Sequence, residues 1–363
     1  MIKGFWEEVK KKAGKEPFFV MAPLADVTDV AFRDIIAKYS RMGKKGGGPA
    51  VHWTEFVSAD GLCSPGLKIL ERDLAYTEAQ RPIVAQLFTG HPEKMKEACA
   101  LSRSLGFNGI DINMGCPDKS IEKQCAGASM IKDSELARKV IESAREGAGD
   151  IPVSVKTRIG YNKNEINTWI VFLLELKLPV LTIHLRTRKE MSDVPAHWEL
   201  MPEIIALRDK ISPETLIIGN GDALNLEDGK QKAEASGADG VMFGRAIFGN
   251  PWLFDTQKKE VTMREKLEVM LEHTLLYEKL LGDIKNFAIM KKHYKAYVTG
   301  FDGAKELRAK LMETQNAEEG RKIVEEYLEN SLKSKVPSLE NAPAVSSSGE
   351  GVTRGLISSI KYL

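Results

Sequence analysis

Short continuous apolar runs recur along the first two-thirds of the chain, at residues 18–24, 50–56, 82–88, 109–115, 153–159, 179–185, 216–222 and 240–246. Most are rich in Val, Ile and Phe, without the strict alternation of a strand that has one wet face. Runs of this kind predict strands buried on both faces, as in a parallel sheet. Between most of them the spacing changes to a helical period, at residues 92–105, 133–146, 165–176, 198–211 and 226–236. Asp133 stands before Ser134, Glu135 and Leu136 as an N-cap, and Gly106, Gly149 and Gly237 fall at helix ends that call for a left-handed residue. Eight strands alternating with helices over about 230 residues predict a (β/α)8 barrel, which typically takes roughly 250. The rival, a doubly wound open sheet, would need a glycine-rich phosphate loop after its first strand. The chain reads MAPLADVTD there, so the barrel is favoured.

Beyond Trp252 the strand pattern stops. Residues 262–281, 284–299, 303–311 and Ala317–Lys333 predict helices. The expected organisation is an N-terminal helical extension (1–16), a barrel (17–255), a smaller all-helical domain (256–335) and a disordered tail (336–363). The tail follows from the Ser, Gly, Pro and Ala richness of residues 337–355. RMGKKGGGP at residues 41–49 is expected to be a flexible loop leading into the second strand.

Composition narrows the classes further. Hydrophobic residues make up 43% of the 363 and charged residues 28%, which excludes a largely disordered chain. Lys+Arg 52 against Asp+Glu 51 gives a net charge of +1, so a polyanionic partner needs a local basic patch. Cys63, Cys99, Cys116 and Cys125 form no CxxC and no Cys/His metal spacing, arguing against a disulfide framework or a zinc site. No apolar run approaches the ~20 residues of a membrane span. The N-terminus has no apolar signal core, and a soluble cytoplasmic protein is expected.

Barrel enzymes carry their reactive groups at the carboxyl ends of the strands. Here those ends hold Glu55, Gln86, Asn113 with Cys116 just beyond, Lys156 and Arg158, His184 and Arg186, Asn220 with Asp222, and Arg245. Polar groups among apolar neighbours are costly to bury unless something satisfies them, and a ring of them points to a ligand site. Gly221 and Gly244 allow close approach of backbone N–H groups, and with Arg245 they can hold one phosphate. Lys156 can stabilise negative charge on a reduced flavin ring, with His184 and Gln86 at the same ring. A Lys–Asp ion pair and a structural histidine are the plainer alternatives. Cys116, in a Gly-Cys-Pro turn, can serve as nucleophile, base or acid. Cys125 lies nine positions on, beyond the charged loop 118–123, and Cys63 and Cys99 read as structural.

MAPLADVTDVAFR, WTEFVSADGL, VAQLFTG, GIDINMGCPDKSIEKQCAGASMIKD, VSVKTRIGY, TIHLRTR, IIGNGD and GADGVMFGRAIFGNPWLF resemble, in order, the motifs of the tRNA-dihydrouridine synthase family. The likeness spans about residues 17–254, and KHYKAYVTGFDGAKELR extends it into the helical segment. The resemblance implies an FMN enzyme, driven by NADPH or NADH, that reduces selected tRNA uridines to 5,6-dihydrouridine. In Cys116 it implies the thiol that protonates carbon 5 of the uracil. Pro23, Leu24 and Ala25 match the first flavin-contacting strand end, and Gln86, Lys156 and His184 the ring-contacting positions. Asn220, Gly221, Asp222, Gly244 and Arg245 match the ribityl and phosphate end. Asn113 matches the residue that orients the uracil, and Arg186 is placed with it on the substrate side. Leu24 stands where Met is common, and the 41–49 loop is longer than the pattern requires.

Within residues 285–310 seven positive charges (Lys285, Lys291, Lys292, Lys295, Lys305, Arg308 and Lys310) face only Asp302 and Glu306. His293, Tyr294 and Tyr297 interleave with them, as in a surface that stacks on RNA. This segment is the expected tRNA-gripping face, against the plainer reading of a solvated helix. The remaining partner is NAD(P)H, with no DNA or membrane, and a monomer is expected. Two other functions compete: a dihydroorotate-dehydrogenase-like flavoprotein acting on a free pyrimidine, and a non-catalytic RNA- or flavin-binding protein.

Overall fold

The computed structural model of the protein describes residues 4–333, so the expected tail at 336–363 lies outside the described residues. Among those residues eight strands form one parallel sheet: β1 (Phe18–Met21), β2 (His52–Ser58), β3 (Ile83–Phe88), β4 (Gly109–Met114), β5 (Val153–Arg158), β6 (Val180–His184), β7 (Leu216–Asn220) and β8 (Gly240–Phe243). The order is β1-β8-β7-β6-β5-β4-β3-β2. Its two ends meet where Ala50 N–H donates to the Phe19 carbonyl at 2.7 Å, closing the (β/α)8 barrel that the apolar runs predict.

Alternation along the strands divides the side chains between two surfaces. Outward residues such as Ile110, Ile112 and Val155 pack with Ala98, Val140, Ile141 and Ala144 of the surrounding helices in the largest apolar cluster. The inward residues change character along the barrel axis. At the amino ends Phe18, Val20, Trp53, Val84, Val180, Leu216, Ile218 and Met242 form an apolar plug. The helix Phe5–Ala13 closes it from below through Trp6, whose ring lies 6.0 Å from Trp53 and 6.3 Å from Phe18. At the carboxyl ends the inward residues are polar. The register pairs Gln86 with Asp111, Asp111 with Ser154, Asn113 with Lys156, and Arg158 with His184. The bottom of the barrel is therefore solid and the top is lined by polar side chains.

The predicted caps form. Asp133 accepts from Leu136 N–H at 2.9 Å, and Gly106, Gly149 and Gly237 all have positive φ. A helix the periodicity did not reveal, Val30–Tyr39, follows β1 and is capped by Asp29. After β2 the connection is only short helical turns, Ala59–Leu62, Leu67–Leu70 and Glu71–Leu74. Residues 41–49 form hydrogen-bonded turns rather than a loose loop. Gly48 N–H reaches Ser40 O, and Gly46 O accepts from Thr256 N–H at 2.9 Å.

Met263–Leu281, Ala288–Tyr297, Ala304–Glu313 and Ala317–Lys333 are helical. Their inner faces share a core with Val30, Ala31 and Ile35, so they pack on the first barrel helix. Two polar contacts add to this joint. Lys292 Nζ lies 3.3 Å from Asp26, and Lys285 Nζ sits between Glu55 (2.7 Å) and Asp73 (2.9 Å). Burial alone would lower the Lys285 ammonium, but the two carboxylates more than offset it and hold it above its usual value.

The joint corrects the charge reading of this segment. Lys285 is 14% exposed and neutralised, Lys292 is paired, and Arg308 donates to Val298 O at 2.9 Å. His293, Tyr294 and Tyr297 are fully buried, because the helix turns its aromatic face to the joint and only its lysines outward. They pack there rather than offering planes to RNA. Among the described residues no helix is long and apolar enough to cross a membrane. Removing one partner of a buried charge cluster leaves the others unpaired, at a cost of about 3–5 kcal/mol. Lys285→Met should therefore lower the urea midpoint substantially, whereas Lys295→Met should not. Equal midpoints for the two variants would refute the joint's role.

Candidate active site

The polar end of the barrel opens into a cavity of about 880 Å³. Pro23, Leu24, Gln86, Asn113, Cys116, Lys156, His184, Arg186, Asn220, Gly221, Asp222, Gly244 and Arg245 all line it. Two expected members do not. Ala25 is exposed one step beyond the rim, and Ala22 lines the cavity in its place. Glu55 faces the helical joint, because the β2–β3 register slips between Trp53 and Phe56. That bulge reverses the alternation and turns Phe56 into the cavity. Arg158 and residues 192–195 complete the wall.

A hydrogen-bond chain runs across β3, β4 and β5. Ser154 Oγ donates to Asp111 Oδ1 at 2.6 Å, and Gln86 Nε2 donates to Asp111 Oδ2 at 2.6 Å. Asn113 Nδ2 donates to Gln86 Oε1 at 3.2 Å. Asn113 Oδ1 accepts the backbone N–H groups of Gly115 (3.1 Å) and Cys116 (2.9 Å). The carbonyl end of Asn113 is thus committed to holding the cysteine turn. Arg158 braces the same turn, donating to Gly115 O at 2.8 Å.

A second network holds β6, β7 and β8. Arg186 donates to Asp222 Oδ2 at 2.5 Å and to Val194 O at 2.6 Å, and Nη1 meets His184 Nε2 at 3.1 Å. An arginine cannot accept, so His184 Nε2 is the acceptor and its proton sits on Nδ1. Asp222 also binds Arg245 and the Ala196 N–H. Arg186 is 3% exposed and fastened on three sides, so it forms part of the cavity wall.

The glycines at this end divide by cause. Gly221 has φ +128°, and a Cβ there would lie 2.6 Å from Ala196 Cβ, so the protein itself requires glycine. At Gly244 a Cβ would meet nothing closer than Ala22 Cβ at 3.9 Å. The protein leaves room for a side chain there, and bare backbone faces the cavity beside Arg245.

The charges are unbalanced. Lys156, Arg158, Arg186 and Arg245 face Asp193 and Asp222 in the lining and Asp111 beneath it, four cations against three carboxylates. Burial, with Arg158 nearby, lowers Lys156 to about 8, and its amino group makes no hydrogen bond or ion pair to another described residue. Burial and the surrounding cations hold His184 well below its usual value, hence neutral. Burial raises Asp111 to about 6 against the opposing hydrogen bonds of Ser154 and Gln86. Such a site is relieved by an anion. Burial also raises the Cys116 thiol, outweighing the nearby Lys156 and Arg158, so Cys116 is a protonated acid at neutral pH.

Cys125 is exposed, at positive φ, outside the cavity lining. Cys63 and Cys99 lie away from it, their thiols also pushed up by burial. At pH 7.5 iodoacetamide should label Cys125 well before Cys116, as read by peptide mass spectrometry. Faster labelling of Cys116 would contradict the protonated, shielded thiol.

A family model described as Dihydrouridine synthase (Dus) matches residues 20–334. The chain is 39% identical over 330 residues to a protein named probable tRNA-dihydrouridine synthase from Staphylococcus aureus (strain COL), covering 90% of this chain and 96% of that one. It is 38% identical over 330 residues to one named probable tRNA-dihydrouridine synthase 2 from Bacillus subtilis (strain 168), covering 90% and 97%.

Proposed function

The chain belongs to the dihydrouridine synthase family, oxidoreductases that act on tRNA uridines, and on that premise we propose that it holds FMN in the strand-end cavity and uses NADPH to reduce selected uridines to 5,6-dihydrouridine. The observation that carries this reading is the Cys116 thiol at the wall of a cavity that presents Gln86, Asn113, Lys156 and His184 at β3–β6 and Gly244 with Arg245 at β8. The residues fit a flavin mononucleotide. The single backbone opening at Gly244, with Arg245, suits one phosphate, and nothing in the first βα turn suits a second nucleotide. Lys156, Gln86 and His184 would hold the ring. Asp222 keeps Arg186 and Arg245 from repelling each other and aims both at the phosphate end.

Reduced flavin supplies a hydride to carbon 6 of the uracil when bound. The residues of the chain do the rest. Cys116 Sγ–H gives its proton to carbon 5, so hydride and proton together saturate the double bond, and the thiolate recovers a proton from solvent. Asn113 and Arg158 hold the cysteine turn while this happens. The second Nδ2 hydrogen of Asn113 remains for the uracil carbonyl. A base stacked in folded tRNA must leave its stack to reach this depth.

Lys291 and Lys295 on the helix Ala288–Tyr297, and Lys305 and Lys310 on the helix Ala304–Glu313, form no ion pair among the described residues. They are the part of the basic segment available to tRNA phosphates. A patch of this size makes binding salt-dependent.

Three experiments test the reading. Arg245→Ala should weaken FMN binding by about 1.5–3 kcal/mol, the value of a charged hydrogen bond, by fluorescence titration of apoprotein. Recovery of FAD from the purified protein would refute the assignment of the cofactor. Cys116→Ala should keep flavin and its reduction by NADPH yet lose about 10²–10⁴-fold in dihydrouridine formation, with Cys125→Ala near wild type. The opposite pattern would move the acid to Cys125. Charge reversal at Lys291 and Lys295 should raise KM for tRNA and flatten its salt dependence, leaving flavin content unchanged. An unaltered KM and salt slope would return these lysines to a solvated surface.

A further inference from the structure

We propose that Asp111, which lies beneath the cavity lining, is the positioning residue that locks the polarity of the site, accepting from Gln86 at one end of an amide chain whose other end holds the cysteine turn. The proposal deepens the flavin and tRNA reading, because it concerns the same cavity.

An amide side chain has donor and acceptor ends of nearly equal shape, and only its partners decide which way it faces. Here both ends of the chain are determined. At the cysteine end, the Gly115 and Cys116 N–H groups converge on one atom of Asn113, which must be its oxygen. Its Nδ2 then faces Gln86, whose facing atom must accept, and so is Oε1. That leaves Gln86 Nε2 toward Asp111 Oδ2, an oxygen that accepts its hydrogen bond, while Ser154 Oγ donates to Oδ1. Asp111 is 1% exposed, so no water competes for these bonds.

The consequence lies in the hydrogens left over. Gln86 and Asn113 each keep one N–H without a protein partner among the described residues, and both line the cavity. Lys156 adds its ammonium, and His184 adds Nδ1–H through the tautomer that Arg186 imposes. Four strands thus present only donors at one side of the cavity. Such a wall suits an acceptor-rich ring edge, above all one carrying negative charge. An asparagine at position 111 is nearly isosteric but can present N–H to Gln86. Gln86 could then reverse, its Nε2 would meet Asn113 Nδ2, and Asn113 would have to release the cysteine turn.

The test uses two readouts on the full-length protein: the FMN dissociation constant of the apoprotein, and the rate of Cys116 alkylation without flavin. Asp111→Asn should raise the dissociation constant about tenfold or more and speed Cys116 alkylation severalfold. Ser154→Ala, which frees the other carboxylate oxygen, should shift both readouts the same way by less. Asp111→Asn combined with Gln86→Glu restores an acceptor on both sides of residue 86. It should return Cys116 alkylation to the wild-type rate while FMN binding stays weak, since an acceptor now replaces the Gln86 donor. Wild-type values for both readouts in Asp111→Asn and Ser154→Ala would overturn the proposal, as would a double variant whose Cys116 remains fast. If the wild-type apoprotein bound no FMN, the functional reading would fall. The alkylation arm would still decide the role of Asp111.

Discussion

Parallel pairing of eight strands around a closed ring puts every carboxyl end on one rim, and the rest of the molecule follows from that constraint. The inward positions must be filled or functional, because a barrel of this size has no room for idle water. At the amino end they are filled, with Trp6 and Trp53 sealing the floor. At the carboxyl end they are polar, and the register brings Asp111, Ser154, Gln86, Asn113 and Lys156 into adjacent layers. Residues distant in sequence meet because the ladder gives them no other neighbours.

Burial then sets the chemistry. The same low-dielectric surroundings lower Lys156, hold His184 neutral and raise Cys116. Burial is the largest cause of all three shifts, with neighbouring cations adding to it at Lys156 and His184, and it leaves a destabilised cation, a neutral imidazole and a thiol that holds its proton. Asp222 and Asp111 do not neutralise the site but distribute it, the first by clamping two arginines and the second by anchoring an amide chain.

The strands and the strand-end ring were legible in the sequence because buried parallel strands are continuous apolar runs, in which a polar residue at the end stands out. Gln86, Asn113, Lys156, His184, Asn220 and Arg245 were all visible for that reason. Glu55 looked identical to them, and only the bulge in β2, which no composition signals, separates it from Phe56. The basic segment misled in a similar way. Local charge counting sees Lys285 and Lys292 but not Glu55, Asp73 and Asp26, which are more than 200 residues away in the chain. The aromatic residues between the lysines read as RNA-facing because a single helix does not reveal which face meets the barrel. The role of Trp6 was hidden too, since a short amphipathic helix carries no mark of what it covers.

If this cavity passes reducing equivalents directly to tRNA, with Cys116 completing the addition, one turnover without NADPH is enough to show it. The most direct measurement is an anaerobic single turnover. Protein loaded with FMN and reduced beforehand, free of NADPH, is mixed with tRNA lacking the modification, and flavin absorbance and dihydrouridine content are followed together. Direct transfer requires that flavin reoxidises with formation of one dihydrouridine per flavin, and that Cys116→Ala leaves the flavin reduced over the same interval. Reduced flavin that persists with wild-type protein and competent tRNA, or that reoxidises without dihydrouridine, would contradict it.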